Sequence, residues 1–175
     1  MKTRLASDQD AANQVAQIFQ EILATLPSGC ASLLQKEEEK GKDHPAEVSL
    51  LPSNAASAPF GALFFSGRLY GAFFGRPPFI TNYEAPWELN LRCSDDLEKH
   101  FAVLKKMCEA VVAGKCQHRI GTLSLTGTIR ASDGSIFRVV DLSVFRPRLV
   151  RKIVVYEPYK AGFEAAAPSS STQSV

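Results

Sequence analysis

The stretch from residue 118 to 157 constrains the fold most, because it reads as three consecutive antiparallel strands whose facing residues follow from one turn. From His118 to Arg130 the side chains alternate, with Leu123, Leu125 and Ile129 on one face and Thr122, Ser124, Thr126 and Thr128 on the other. Ser132-Asp133-Gly134-Ser135 supplies the turn. An Asp-Gly pair suits a two-residue hairpin, since both central positions need positive φ. That turn pairs Leu123 with Val144, Leu125 with Leu142 and Gly127 with Val140, and sets Thr126 opposite Asp141 and Ser124 opposite Ser143. A second turn at Pro147-Arg148 leads into 149–156, rich in β-branched residues, where Ile153 and Val155 extend the apolar face and Lys152 and Val154 flank Asp141.

Two helices need this sheet to cover. Ser94-Asp95-Asp96 places a capping side chain before acids that favour a helix start, and Leu97, Phe101, Leu104, Cys108 and Val111 then recur at three- and four-residue steps up to Gly114. Near the amino terminus Asp8 caps a second pattern, with Val15, Ile18, Phe19, Ile22, Leu23 and Leu26 on one face until Pro27-Ser28-Gly29 ends it. With 175 residues and 45% hydrophobic content the chain supports one domain with a real core, over about residues 1–163. Residues 30–59 read as an irregular insertion, because 36–43 is a mixed-sign charged run and 52–59 is built of Ala, Ser, Asn and Pro. The Ala- and Ser-rich tail, 164–175, has too little apolar surface to order itself.

Charge and cysteine usage narrow the partners. The net charge is +2, but 115–157 collects Lys115, Arg119, Arg130, Arg138, Arg146, Arg148, Arg151 and Lys152 against Asp133, Asp141 and Glu157. No aromatic platform interleaves with these cations, so nucleic acid is not the expected partner, and basic residues at sheet edges protect against edge pairing. Cys30, Cys93, Cys108 and Cys116 show no C-x-x-C spacing, and no charged-then-apolar leader opens the chain, which points to a reduced setting, cytoplasmic or nuclear. Cys116-Gln117-His118 alone is too few ligands for zinc, and without a phosphate loop or paired metal carboxylates no cofactor is expected. Phe60 to Ile80 is aromatic, yet Arg68, Arg76 and Pro77-Pro78 interrupt it, so a membrane span is rejected in favour of a buried pair of short strands around Ser66-Gly67 or an aromatic helix.

Trp87, Leu89, Leu91 and Cys93 alternate as a strand leading into the second helix. The order helix, insertion, aromatic segment, strand, helix and three-strand meander resembles the nuclear transport factor 2-like superfamily, and within it SnoaL-like proteins and ketosteroid isomerases. The residues carrying the resemblance are 93–101 before the helix, 133–145 through Val139-Val140-Asp141-Leu142, and 152–157 at the end. It implies an α+β fold in which a curved antiparallel sheet wraps around helices as a cone. On this resemblance Asp141 matches a strand on which some ketosteroid isomerases carry an acid that donates to a developing oxyanion, as a carboxyl in an apolar site is able to do. The chain departs from the family at the general base, where Arg76-Pro77-Pro78-Phe79 stands in place of an aspartate before a proline, and Phe19 stands near the family's first-helix tyrosine.

Two functional classes follow. In the first, the cone binds or rearranges an apolar, polyketide- or terpenoid-like small molecule, with Asp141 and His118 as catalytic candidates. Phe19, Phe64, Phe65, Tyr70, Phe73, Phe79, Trp87, Val139 and Ser143 would line its pocket. In the second, the sheet is a protein-interaction face through which the chain forms a homodimer or heterodimer. The aromatic content favours the first. The face assignment decides Asp141: either the apolar face of Val140, Leu142 and Val144 covers the helices, or the mixed face of Phe137, Val139, Asp141, Ser143 and Phe145 does, which frees the apolar face for a partner.

Overall fold

The computed structural model describes residues 8–36, 46–65, 68–77, 79–84, 94–142 and 151–161. Helix α1, Asp8–Ala24, buries Ala11, Ala12, Val15, Ala16, Phe19 and Ile22 along one stripe, with Ile18 and Leu23 packed at its border. Phe19 meets Phe60 at 5.7 Å between ring centroids and 55° between planes. Each such fully buried ring contributes about 2–3 kcal/mol of transfer free energy. Helix α2, Ser94–Val112, buries Leu104, Met107, Cys108, Val111 and Val112 and half-buries Phe101. It stops at Gly114, whose φ of 70° lets its N–H reach Val111 O at 2.9 Å while the Lys115 N–H reaches Ala110 O at 2.8 Å.

The strands form two antiparallel sheets. The first, in order β1-β2-β3-β4-β5, contains β1 Ala31–Lys36, β2 Ala46–Pro52, β3 Phe60–Phe65, β4 Arg68–Arg76 and β5 Phe79–Glu84. The second runs β8-β7-β6-β9, with β6 Cys116–Ile120, β7 Ser124–Arg130, β8 Ile136–Leu142 and β9 Lys152–Val155. Helix α1 packs on β1, β2 and β3, and α2 packs on α1, β3 and β7, so that one core draws residues from both helices and both sheets. The α+β class is as expected.

Four features differ from the sequence reading or refine it. Residues 31–36 and 46–52, read as part of an irregular insertion, are β1 and β2, paired from Ala31↔Pro52 to Lys36↔Glu47. Their period-2 signal is broken because Ser49 is buried while Leu51 is exposed, which inverts the polarity that alternation should show. The aromatic segment is a pair of strands, β3 and β4, as one of the two readings held, and its turn at 66–67 lies outside the described residues.

The β7–β8 register is shifted by one residue. Leu125 faces Asp141, Thr126 faces Val140 and Gly127 faces Val139. The cause is the loop: the Ala131 N–H bonds Ser135 O at 2.8 Å, enclosing Ser132, Asp133 and Gly134, with Gly134 at positive φ, 87°. This is a three-residue loop closing on a left-handed glycine, and a one-residue shift moves a strand's whole apolar set to the other face. Asp133 is held well below the usual carboxylate range by the Lys106 ammonium at 2.8 Å and the Ser135 N–H at 2.9 Å.

The last strand also departs from a meander. β9 pairs with β6, from Gln117↔Val155 to Ile120↔Lys152, and lies at the opposite edge from β8. Lys152 is therefore no cross-strand neighbour of Asp141. The tail, 162–175, and the alternating stretch 85–93 lie outside the described residues.

Candidate functional site

His118 sits in the middle of the second sheet, on β6 between β7 and β9, opposite Gly127 and Val154. Its ring is fully buried and stacks on Phe74 of the first sheet, 4.4 Å between centroids and 8° between planes. Nδ1 lies 2.8 Å from the Tyr156 hydroxyl, and Tyr156 meets both rings edge-on. Either the hydroxyl donates to Nδ1 or Nδ1–H donates to the hydroxyl, according to the imidazole tautomer. Burial pulls the imidazole down from 6.5 to about 4, so it is neutral near pH 7, and burial pushes the Tyr156 phenol up. A neutral, enclosed histidine bonded to a phenol and stacked on a ring joins two sheets; a proton-transfer role would also require an approach for a reactant.

The chain leaving β9 straps this junction shut. Tyr159 is fully buried, its hydroxyl donating to Ala58 O at 2.8 Å, and its N–H bonds Val112 O at the end of α2. The Glu157 N–H bonds Ala56 O, and Ser57 Oγ donates to Pro158 O. Arg76 closes the same loop from the other side, its Nε on Ser57 O at 2.8 Å and its Nη2 on Asn54 O at 3.0 Å and Pro52 O at 3.4 Å. Sequence reasoning missed Tyr156, Tyr159 and Arg76. Two tyrosines directly after a short strand, in a segment with few other apolar residues, were the signal available.

The other site candidates are placed as follows. The Asp141 backbone is in β8 opposite Leu125, and its side chain lies outside the described residues, as do the side chains of Phe65, Tyr70 and Phe79 and the whole of Trp87 and Ser143. Phe19 and Phe64 are fully buried in the core, while Phe73 and Val139 are half-buried. Phe73 lies over Gly61, so close that a Cβ there would stand 2.5 Å from the ring. Cys30, Cys108 and Cys116 are buried free thiols, with burial pushing Cys116 up to about 12 and the other two up as well. Among the described residues no three His, Cys, Asp or Glu side chains come together to hold a metal ion, and no helix is long and apolar enough to cross a membrane.

The register decides the face question for the described positions. Phe137 packs on the core and Val139 is half-buried, while Ile136, Val140, Ile153 and Val155 are 53, 52, 60 and 67% exposed. On the outer face, the cross-strand rows run Ile153–Arg119–Thr126–Val140 and Val155–Gln117–Thr128–Arg138. Arg119, Arg130 and Arg138 are exposed there, and among the described residues none of them pairs with a carboxylate. The outer face is thus aliphatic and cationic.

No family model, curated protein or solved structure matches the chain.

Proposed function

We propose that this protein is a non-catalytic interaction module that holds an acidic protein partner on the outer face of its four-stranded sheet. The observation that carries the reading is the exposure of Val140, Ile153 and Val155 in the same two rows as Arg119 and Arg138. Exposed aliphatic side chains favour a covering surface, here Ile153 and Val155 on the β9 edge and Val140 on the β8 edge, and the arginines select its charge. A second copy is disfavoured as occupant. In an isologous face-to-face pair the same arginines approach one another with no described carboxylate on the face to offset them. Nucleic acid is disfavoured because the exposed apolar groups in these rows are aliphatic and offer bases no ring to stack on.

The small-molecule reading, with Asp141 or His118 supplying polarity, has less support. Phe19 and Phe64 are packed in the core, and His118 is enclosed by Phe74 and Tyr156. The likeness to nuclear transport factor 2-like chains, some of which pair through the outer side of a sheet, agrees with the interaction reading.

The test is selection from a random peptide display library on immobilised protein, repeated on Arg119→Glu and Ile153→Asp. Enrichment of peptides rich in Asp, Glu and aliphatic residues, with binding lost on both variants, supports the proposal. Enrichment that both variants leave unchanged, or preferential binding of a single-stranded oligonucleotide, overturns it.

A further inference from the structure

The way β9 sits in its sheet specifies how an acidic partner docks, provided the interaction reading holds. In an antiparallel pair, residues alternate between those that exchange backbone hydrogen bonds with the neighbour and those whose N–H and C=O point away. Tyr156 N–H bonds Cys116 O, so in the register that sets His118 against Val154 the bonded positions on this side are 156, 154 and 152. Ile153 and Val155 therefore turn their backbone N–H and C=O toward the open edge. The described residues supply no backbone partner to either one. One step further along the chain the same side is already used, since Glu157 N–H bonds Ala56 O at 3.1 Å. Among the described residues the edge accepts a neighbour at its far end and is open where the side chains are most exposed.

We infer that the partner contributes an extended acidic segment that adds to β9 as a fifth, antiparallel strand of this sheet. Unpaired strand edges are templates for such addition, and main-chain bonds then supply affinity while alternate side chains supply selectivity. The charge of the occupant is set by Arg119, beside Ile153 in the same row, and by Arg151, which precedes β9 and donates its Nε to Thr122 Oγ1 at 3.0 Å. The all-antiparallel pairing of the sheet sets the direction. Directly opposed residues of an antiparallel pair share a face. The partner residues that bond Ile153 and Val155 therefore send their side chains to the arginine side, and these are the acidic positions; the residues between them face inward and are aliphatic.

A short capped peptide alternating glutamate with valine is the probe, in three forms: unmodified, N-methylated at the glutamates, and N-methylated at the valines. Amide hydrogen exchange at Ile153 and Val155 is read by NMR with and without each form. The unmodified and valine-methylated peptides should bind alike and slow exchange at both residues at least tenfold, while methylation of the glutamates should cost at least tenfold in affinity. Equal binding by both methylated forms, or unchanged exchange at Ile153 and Val155 in a saturated complex, overturns strand addition. If library selection has meanwhile yielded Arg119-dependent acidic peptides, that result leaves the docking face standing. If it has not, the docking face itself fails.

Discussion

His118 Nδ1 and the Tyr156 hydroxyl are 2.8 Å apart, and this bond, with Phe74 stacked beneath the imidazole, holds the second sheet, the first sheet and the carboxyl-terminal strap at one point. Tyr156→Phe keeps the ring and its edge-on contacts but removes the hydroxyl that bonds Nδ1. Leaving a buried polar group without that partner should cost about 1–3 kcal/mol, measured by urea denaturation. A loss under about 0.5 kcal/mol would show that the bond carries little of the junction's stability.

The same histidine makes stability depend on pH. Its folded value, about 4, lies below the unfolded 6.5, so the unfolded chain takes up the proton first and stability falls as pH drops from about 6.5 toward 4. One proton limits the slope to about 1.4 kcal/mol per pH unit. Between pH 6.5 and 5, above the carboxylate range, His118→Phe should flatten the profile while keeping a ring against Phe74. An unchanged slope in the variant would assign the dependence to other groups.

Two glycines at positive φ separate conformational strain from steric conflict. A Cβ on Gly134 meets nothing within 4 Å, so Gly134→Ala should cost only the left-handed strain, about 1 kcal/mol. A Cβ on Gly114 stands 2.5 Å from the Pro158 nitrogen, so Gly114→Ala should cost roughly 1–3 kcal/mol more by forcing the strap off α2. Thermal melts of the pair should show that order, and the reverse order would contradict the fit of the strap.

Ile153→Asp and Val155→Asp change exposed side chains and should alter stability by no more than about 0.5 kcal/mol while abolishing peptide binding. A large loss of stability on either would mean that the face is covered within the chain itself.

How much of this was legible in the sequence differs by element. Both helices were, because their apolar steps, capping residues and terminal glycines agree with one another. The β7–β8 hairpin was legible, but not its register, since Asp133-Gly134 fits a two-residue loop and a three-residue loop equally well and only backbone geometry separates them. The position of β9 was not, because Lys152 to Val155 would sit as well beside β8 as beside β6, and sequence neighbours more often pair. β1 and β2 were hidden by buried Ser49 and exposed Leu51. At the site, His118 was singled out, yet Phe74, Tyr156 and Arg76 are brought to it from distant parts of the chain, and nothing local to any one of them signals the others. Of the apolar face that was assigned Val140, Leu142, Val144, Ile153 and Val155 without fixing which way it turns, Val140, Ile153 and Val155 are exposed and the Leu142 and Val144 side chains lie outside the described residues, while Leu125 and Ile129, assigned to the same face, are in the core.

The central claim, that the arginines of this face select an acidic partner, is tested most directly by exchanging the charges. The affinity of the glutamate–valine peptide is measured on the native protein and on the double variant Arg119→Glu with Arg138→Glu, alongside a lysine–valine peptide of the same length. The account predicts that the glutamate peptide loses at least tenfold on the variant and that the lysine peptide gains at least tenfold. Affinities that do not respond to the exchange would contradict it.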